Sequence, residues 1–332
     1  MRFRQSVKRE PLTAPRFESK AKSWKAGLRS LGQCKTTSNF TVFEPVLSAI
    51  SLDFLRFLSL TTLKRLKYGY PFFRALAPLF PFSFMAAPRF YLNIETALLD
   101  DALNTSQLVT LSADAAHHAG RALRLRTGEE VSIFNGSGKE WRGVISFSKE
   151  STTVALSACL EPKRESPLTI TLLQALVAPE KMDWIVEKAV ELGVSRLVLV
   201  PSQRSVTKLT EDRAQKRLQK LEALIVSAAE QCGRNTLMEV SFIPSLEKAF
   251  EETEAQVKLI FAPGAQAQKS TFEGKTHFAV AIGAEGGFSE EEIALAQKYG
   301  WTPKLLGPRV MRTETAGLAA AVWLNTLLGD FE

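Results

Sequence analysis

The sequence predicts an α/β protein: a C-terminal domain with a mostly parallel sheet, preceded by a smaller β-barrel. Three observations lead there. After Pro167, apolar runs of strand length alternate with stretches of helical periodicity, the texture of a sheet covered by helices. Between Arg89 and Glu161, short β-rich runs and turns accompany one helical segment, as in a small barrel. Charge divides the chain at Met85: residues 1–84 hold 15 Lys and Arg against 4 Asp and Glu, net +11, whereas 85–332 hold 27 against 31, net −4.

Residues 1–84 begin Lys/Arg-rich and become Phe- and Pro-rich, with weak periodicity, a composition that predicts poor order. Three origins stay open: an organelle transit peptide, a basic arm for nucleic acid, or translated sequence upstream of a true start at Met85. In the predicted barrel, 85–161, Ser112 caps a helix over Ala113–Leu123, and Val131–Phe134, Trp141–Phe147 and Thr153–Leu160 are strands. The turn Asn135-Gly136-Ser137-Gly138 closes a hairpin rather than a phosphate loop, because the upstream Gly and downstream Ser/Thr are missing.

Residues 162–167 form a proline-bounded linker, and 168–332 the α/β domain. Its predicted strands are Leu168–Leu176, Arg196–Val200, Val257–Ala262, His277–Ile282 and Lys304–Leu306. Met182, Ile185, Ala189 and Val190 share one helical face ended by Gly193, and Leu218, Leu221, Leu224, Ile225 and Ala228 line a longer helix stopped at Gly233. Ser289 and Glu292 predict a capping box, and Thr313 a cap for Glu314–Leu328.

Composition narrows the function. The three cysteines, Cys34, Cys159 and Cys232, form no C-x-x-C pair and have no His at ligand spacing, which argues against a disulfide scaffold and a zinc site. That pattern favours a reducing compartment and a cytoplasmic location; organelle targeting by 1–84 is the alternative. Even the most apolar stretch, Val46–Leu63, contains Asp53 and Arg56, so no membrane partner is expected. Three histidines and no G-x-S-x-G argue against a hydrolase triad.

Two glycine-bearing loops carry the strongest signal. Gly283-Ala284-Glu285-Gly286-Gly287 follows one strand, and Leu306-Gly307-Pro308-Arg309-Val310-Met311-Arg312-Thr313-Glu314 follows the next. Neither is a dinucleotide or phosphate loop, but loops after neighbouring parallel strands make a cleft where ligands bind. Leu306, Val310 and Met311 suit an adenine ring, while Arg312 and Glu314 suit a polar partner or merely pair at a helix start. Arg204 and Arg234 are candidate phosphate contacts or surface charge. His118, Arg121, Arg124 and Arg126 make a local basic patch in the barrel, an RNA contact or an exposed helix face.

With these residues in view, 88–330 resembles the RsmE family of the SPOUT superfamily. The resemblance rests on His118 with Ala122-Leu123-Arg124, Lys181-Met182-Asp183, Glu187–Val194, Arg204-Ser205-Val206, Glu230–Arg234 and the two glycine loops. It implies a PUA-like RNA-binding barrel followed by a SPOUT domain with a C-terminal trefoil knot. It also implies methylation of uridine N3 in 16S ribosomal RNA, within a small ribosomal subunit, by a homodimer. S-adenosylmethionine is then expected against Gly283, Glu285, Gly286, Gly287, Leu306, Gly307, Val310 and Met311, with RNA against His118, Arg121, Arg124, Arg126 and Arg234. In the expected mechanism Arg204 or Arg312 stabilises a uridine anion, and water or a carboxylate, Glu314 ahead of Glu285, takes the proton. Ala284 stands where the family usually has Pro, which frees φ and restores an N–H. A ribose 2′-O-methyltransferase and a non-catalytic assembly protein are the alternatives.

Overall fold

The computed structural model describes residues 87–209, 211–264 and 272–331; the basic leader lies outside them. Among the described residues no helix is long and apolar enough to cross a membrane, and no cluster of metal-ligating side chains occurs.

The smaller sheet contains β1 (Arg89–Tyr91), β2 (Leu108–Thr110), β3 (Glu130–Phe134), β4 (Glu140–Phe147) and β5 (Thr152–Leu160), in the order β1-β3-β4-β5-β2. All neighbours are antiparallel except β1 and β3. Phe90, Val131, Ile133, Trp141, Ile145 and Val154 point to one side and form its core, closed by α1 (Thr96–Thr105) through Leu99 and Ala102. The Gly136–Gly138 turn joins β3 to β4, as expected of a hairpin.

Ser112 caps α2 (Ala113–His117) by accepting a hydrogen bond from the Ala115 amide. The predicted single helix then changes form: His118–Ala122 is a π-helical turn. Such wider turns fan side chains differently from an α-helix. Arg124 follows in a left-handed conformation, φ 56°.

The larger sheet is wholly parallel, ordered β11-β9-β10-β6-β7-β8, and contains β6 (Thr169–Ala175), β7 (Arg196–Val200), β8 (Glu239–Phe242), β9 (Val257–Phe261), β10 (His277–Ile282) and β11 (Thr302–Lys304). Its strands are apolar on both faces because helices cover both. On one side α3 (Pro179–Glu191), α4 (Glu211–Cys232) and α7 (Thr313–Leu328) pack on Leu172, Val280 and Ile282. On the other, α5 (Leu246–Glu252) and α6 (Glu290–Lys298) pack with Trp301 on Leu173, Ala279 and Ala281. From the edge strand β11 the chain doubles back to lay α7 against α3, β6 and β10.

Two expectations shift. β11 occupies Thr302–Lys304 rather than Lys304–Leu306, because its partner β9 ends at Phe261 opposite Lys304. Leu305 and Leu306 are thereby released into a loop. Thr313 does not cap α7; Arg312 holds the cap position, without a side-chain hydrogen bond, and the Thr313 hydroxyl is engaged elsewhere. The capping box of Ser289 and Glu292 forms as its spacing predicts.

A buried polar cluster joins the two sheets. Arg89 is ion-paired with Glu140 and donates to the Arg234 carbonyl and the Asn235 side chain, while Arg164 reaches Glu140 at 2.9 Å. Burial alone would push the Glu140 carboxyl up, but Arg89, the Ser132 hydroxyl and Arg164 together hold it below its ordinary value.

Candidate active site

Strand ends create the main cleft. β9, β10 and β11 finish at Phe261, Ile282 and Lys304, and the loops beyond them enclose about 490 Å³. That is within the usual range of roughly 300–1,000 Å³ for a small-molecule site. A second cleft, about 900 Å³, is lined by charged groups, including the mutually paired Arg89, Glu140 and Arg164. Ala87, Pro88 and Leu125 are its apolar lining residues, and charged side chains outnumber them.

The glycine loop of the first cleft is shaped by absent side chains. The Gly287 amide donates to the Ala284 carbonyl at 2.9 Å, closing a tight turn, and Gly287 has φ 70°. The turn folds back so closely that a Cβ on Gly283 would lie 2.7 Å from the Gly287 carbonyl carbon and from the Phe288 nitrogen. Opposite it, Gly307 has φ 149° and open space where its Cβ would be. A ligand can therefore approach the backbone amides directly.

Three buried groups fasten the two loops together. The Gln174 amide donates to the Thr313 hydroxyl at 2.9 Å, and that hydroxyl donates to the Gly283 carbonyl at 2.6 Å. Gln174 is wholly buried, so this link between β6, β10 and α7 is shielded from water.

Arg204 seals the outer side. Its Nη1 donates to the Gly286 carbonyl at 2.8 Å and more weakly to Phe288 at 3.3 Å. A Cβ on Gly286 would meet the Arg204 side chain at 3.0 Å, so the missing side chain gives Arg204 its seat.

Charge collects where α3, the glycine loop and α7 meet. Lys181 Nζ lies 2.9 Å from Glu285 Oε1 and 3.8 Å from Glu314 Oε2. Hydrogen bonding to Glu285 pushes the Lys181 ammonium up from its ordinary value. Burial would push Glu285 up, but Lys181 and the backbone amides of Glu285 and Ala178 outweigh it and hold that carboxyl down. The Glu314 side chain is only 17% exposed, and its Oε2 is buried without a hydrogen-bond partner. Arg312 is 83% exposed and 3.8 Å from Glu314 Oε1.

The structure thus gathers Arg204, Gly283, Glu285, Gly286, Gly287, Leu306, Gly307, Val310 and Met311 around one cleft, with Arg312 and Glu314 flanking its lining residue Thr313. His118, Arg121, Arg124 and Arg126 are exposed on the smaller sheet's side of the molecule, outside that lining. Arg234 is different. It is buried, donates to the Val190 and Val194 carbonyls and pairs with Glu165, so its guanidinium is committed to holding α3 and the linker. The expected RNA contact at Arg234 gives way to a structural one.

Gln174 and Thr313 carry no sequence signal for their joint role, since they are 139 positions apart. Lys181 belonged to a recognisable motif, but nothing local marked it as the cation between two carboxylates.

The fold and cleft define an RNA methyltransferase of the SPOUT class with an attached PUA domain. Residues 164–325 match the family model described as an RNA methyltransferase domain, and 111–156 match an RNA methyltransferase PUA domain. The chain belongs to the ribosomal RNA small subunit methyltransferase E family. A relative of that name from Buchnera aphidicola (subsp. Schizaphis graminum) is 30% identical, the match covering 69% of this chain and 94% of that one. Another from Synechocystis is 31% identical over 66% of this chain and 73% of that one. Among solved structures, a putative methyltransferase from Legionella pneumophila with bound S-adenosylmethionine has 34% identity and a TM-score of 0.69, covering 74% of this chain and 100% of that one. The Neisseria gonorrhoeae ribosomal RNA small subunit methyltransferase E, also bound to S-adenosylmethionine, has 32% identity and a TM-score of 0.66, with the same coverage.

Proposed function

We propose that this protein transfers a methyl group from S-adenosylmethionine to N3 of a specific uridine in 16S ribosomal RNA, with the small ribosomal subunit as substrate. The observation that carries the proposal is the cleft itself: two glycine loops fastened through Gln174, Thr313 and Gly283, with an apolar lining and backbone amides open to a ligand. Those features fit the cofactor found in the related structures. Leu306, Val310 and Met311 would flank its adenine, while Gly283, Glu285, Gly286, Gly287 and Gly307 would hold its polar groups.

When bound, the cofactor supplies an electrophilic sulfonium methyl; N3 forms the new N–C bond while the C–S electron pair returns to sulfur. The protein's work is to orient the uridine and remove its N3 proton. Glu314 is the proposed acceptor, a reading supported by its mostly buried side chain and an oxygen without a donor. Arg312 is exposed beside it and available to the uracil carbonyl that gains negative charge. Arg204 serves differently from the expected anion stabiliser, by clamping the Gly286–Phe288 carbonyls and so fixing the cofactor loop.

The exposed His118, Arg121, Arg124 and Arg126 supply the RNA-backbone contact. A homodimer is supported by apolar exposure on the packed pair α3 and α7, where Trp184 is 51% and Leu327 53% exposed. The decisive experiment incubates the full chain with S-adenosylmethionine and small-subunit particles, followed by nucleoside mass spectrometry. 3-Methyluridine is the expected product. A 2′-O-methylated nucleoside would overturn the N3 assignment, and no methylation would overturn the activity.

A further inference from the structure

Lys181 is the contact that the proposed chemistry leaves unused. It stands on the first turn of α3, yet its ammonium joins one carboxylate from each cofactor-side loop: Glu285 of the glycine loop and Glu314 at the start of α7. Its two distances differ in kind. At 2.9 Å the Glu285 contact is a hydrogen bond, whereas 3.8 Å to Glu314 is an electrostatic contact only. Glu314 Oε2 consequently has a cation nearby but no donor of its own. A buried carboxylate oxygen left in that state is costly unless a nearby positive charge offsets its lost hydration.

We propose that Lys181 is a positioning residue for proton removal: anchored by Glu285, it orients the carboxylate of Glu314, the proposed acceptor, without donating a hydrogen bond to it. This rests on the proposed uridine methylation. In the step, the uridine N3–H bond breaks, an O–H bond forms on Glu314, and the N3 electron pair remains for attack on the methyl carbon. Were Lys181 hydrogen-bonded to Glu314 at full strength, the carboxylate would be a poorer proton acceptor. Glu285 prevents this by holding the ammonium away.

The arrangement also assigns different duties to the two acids. Glu285 is already paired and held in its charged form, which suits an anchor, whereas the unpaired oxygen belongs to Glu314. The charged groups facing Lys181 are Glu285 and Glu314, with Arg312 beyond them. Removing Lys181 leaves Glu314 with only the exposed Arg312 beside it, so nothing from α3 then fixes the direction of its carboxylate.

The test compares wild type, Lys181→Met and Lys181→Arg in single-turnover methyl transfer at saturating S-adenosylmethionine, with cofactor affinity measured separately by calorimetry. The Met variant should be roughly tenfold or more slower in the methyl-transfer step, because the acceptor carboxylate loses the contact that orients it. Lys181→Arg should recover most of the rate, and cofactor affinity should change by less than about threefold. In a Glu314→Gln background, Lys181→Met should add little further loss.

Three outcomes would overturn the proposal: an unchanged rate, a loss confined to cofactor affinity, or full additivity with Glu314→Gln. Wild-type protein that transfers no methyl group would instead remove the activity on which the proposal rests. The two failures are therefore distinguishable by the wild-type lane alone. Lys181 is one-third exposed and outside the hydrophobic cores, so the Met variant is expected to fold; Lys181→Gln repeats the test with a polar replacement if it does not.

Discussion

Replacing Gly283 with Ala tests whether the glycine loop is built by backbone crowding. The new methyl would stand 2.7 Å from two backbone atoms and 2.9 Å from the Gly287 Cα, well inside ordinary van der Waals contact. No side chain can rotate away to relieve it. Overpacking of this kind costs about 1–3 kcal/mol, and the glycine turn must open for the methyl to fit. For a domain of this size, each kcal/mol lowers Tm by about 2–4 °C, so a fall of roughly 2–12 °C is expected. Because the displaced atoms are the proposed cofactor contacts, S-adenosylmethionine affinity should fall by about ten- to a hundredfold, the equivalent of about 1.4–2.7 kcal/mol.

Gly287→Ala provides the comparison. Its methyl would enter open space, but φ 70° imposes a left-handed backbone on Ala, costing about 1 kcal/mol. Differential scanning calorimetry and titration calorimetry on the two variants separate crowding from conformational strain. Gly283→Ala protein that binds the cofactor with wild-type affinity and melts at the wild-type temperature would refute the account of the loop.

Thr313→Val removes the hydroxyl that links Gln174 to the Gly283 carbonyl, and should lower stability in urea by about 1–3 kcal/mol because buried partners are left unpaired. Arg234→Met should cost about 1–3 kcal/mol by leaving the Val190 and Val194 carbonyls unpaired and removing one of the donors to Glu165, and at temperatures where the variant stays folded its RNA affinity should match wild type. Arg121→Ala and Arg124→Ala should leave Tm nearly unchanged but weaken RNA binding, each lowering the salt-dependence slope by about 1 in filter binding if it meets one phosphate. The depressed Glu140 carboxyl contributes stability that is present above its ordinary value of 4.5 and is lost as pH falls below it; Tm should drop there, and Glu140→Gln should flatten that part of the curve.

Local chemistry made much of the fold legible. Within Arg196–Val200 and His277–Ile282, every residue after the first is apolar, and the structure pairs those same segments as strands. Ser289 and Glu292 needed only each other to make a capping box, and Ser112 needed only the Ala115 amide. Elements with weak local signals escaped: α1 buries just Leu99 and Ala102 and has no side-chain cap, β8 has four residues, and α5 has seven. β11 was displaced by two residues because the length of its partner strand, and not its own apolarity, decides where pairing stops.

What the sequence determined by itself was the alternation of strand and helix, the placement of two glycine loops after neighbouring strands, and the charge carried by each segment. These depend on residues within a few positions of one another. Tertiary structure alone decided that Arg234 turns inward, that Arg204 grips a loop 82 residues away, and that Lys181 lies between Glu285 and Glu314. Contacts across such separations arise only when packing of the sheet and its helices fixes the distances, and a side chain's charge does not reveal which carbonyl or carboxylate that packing will place beside it.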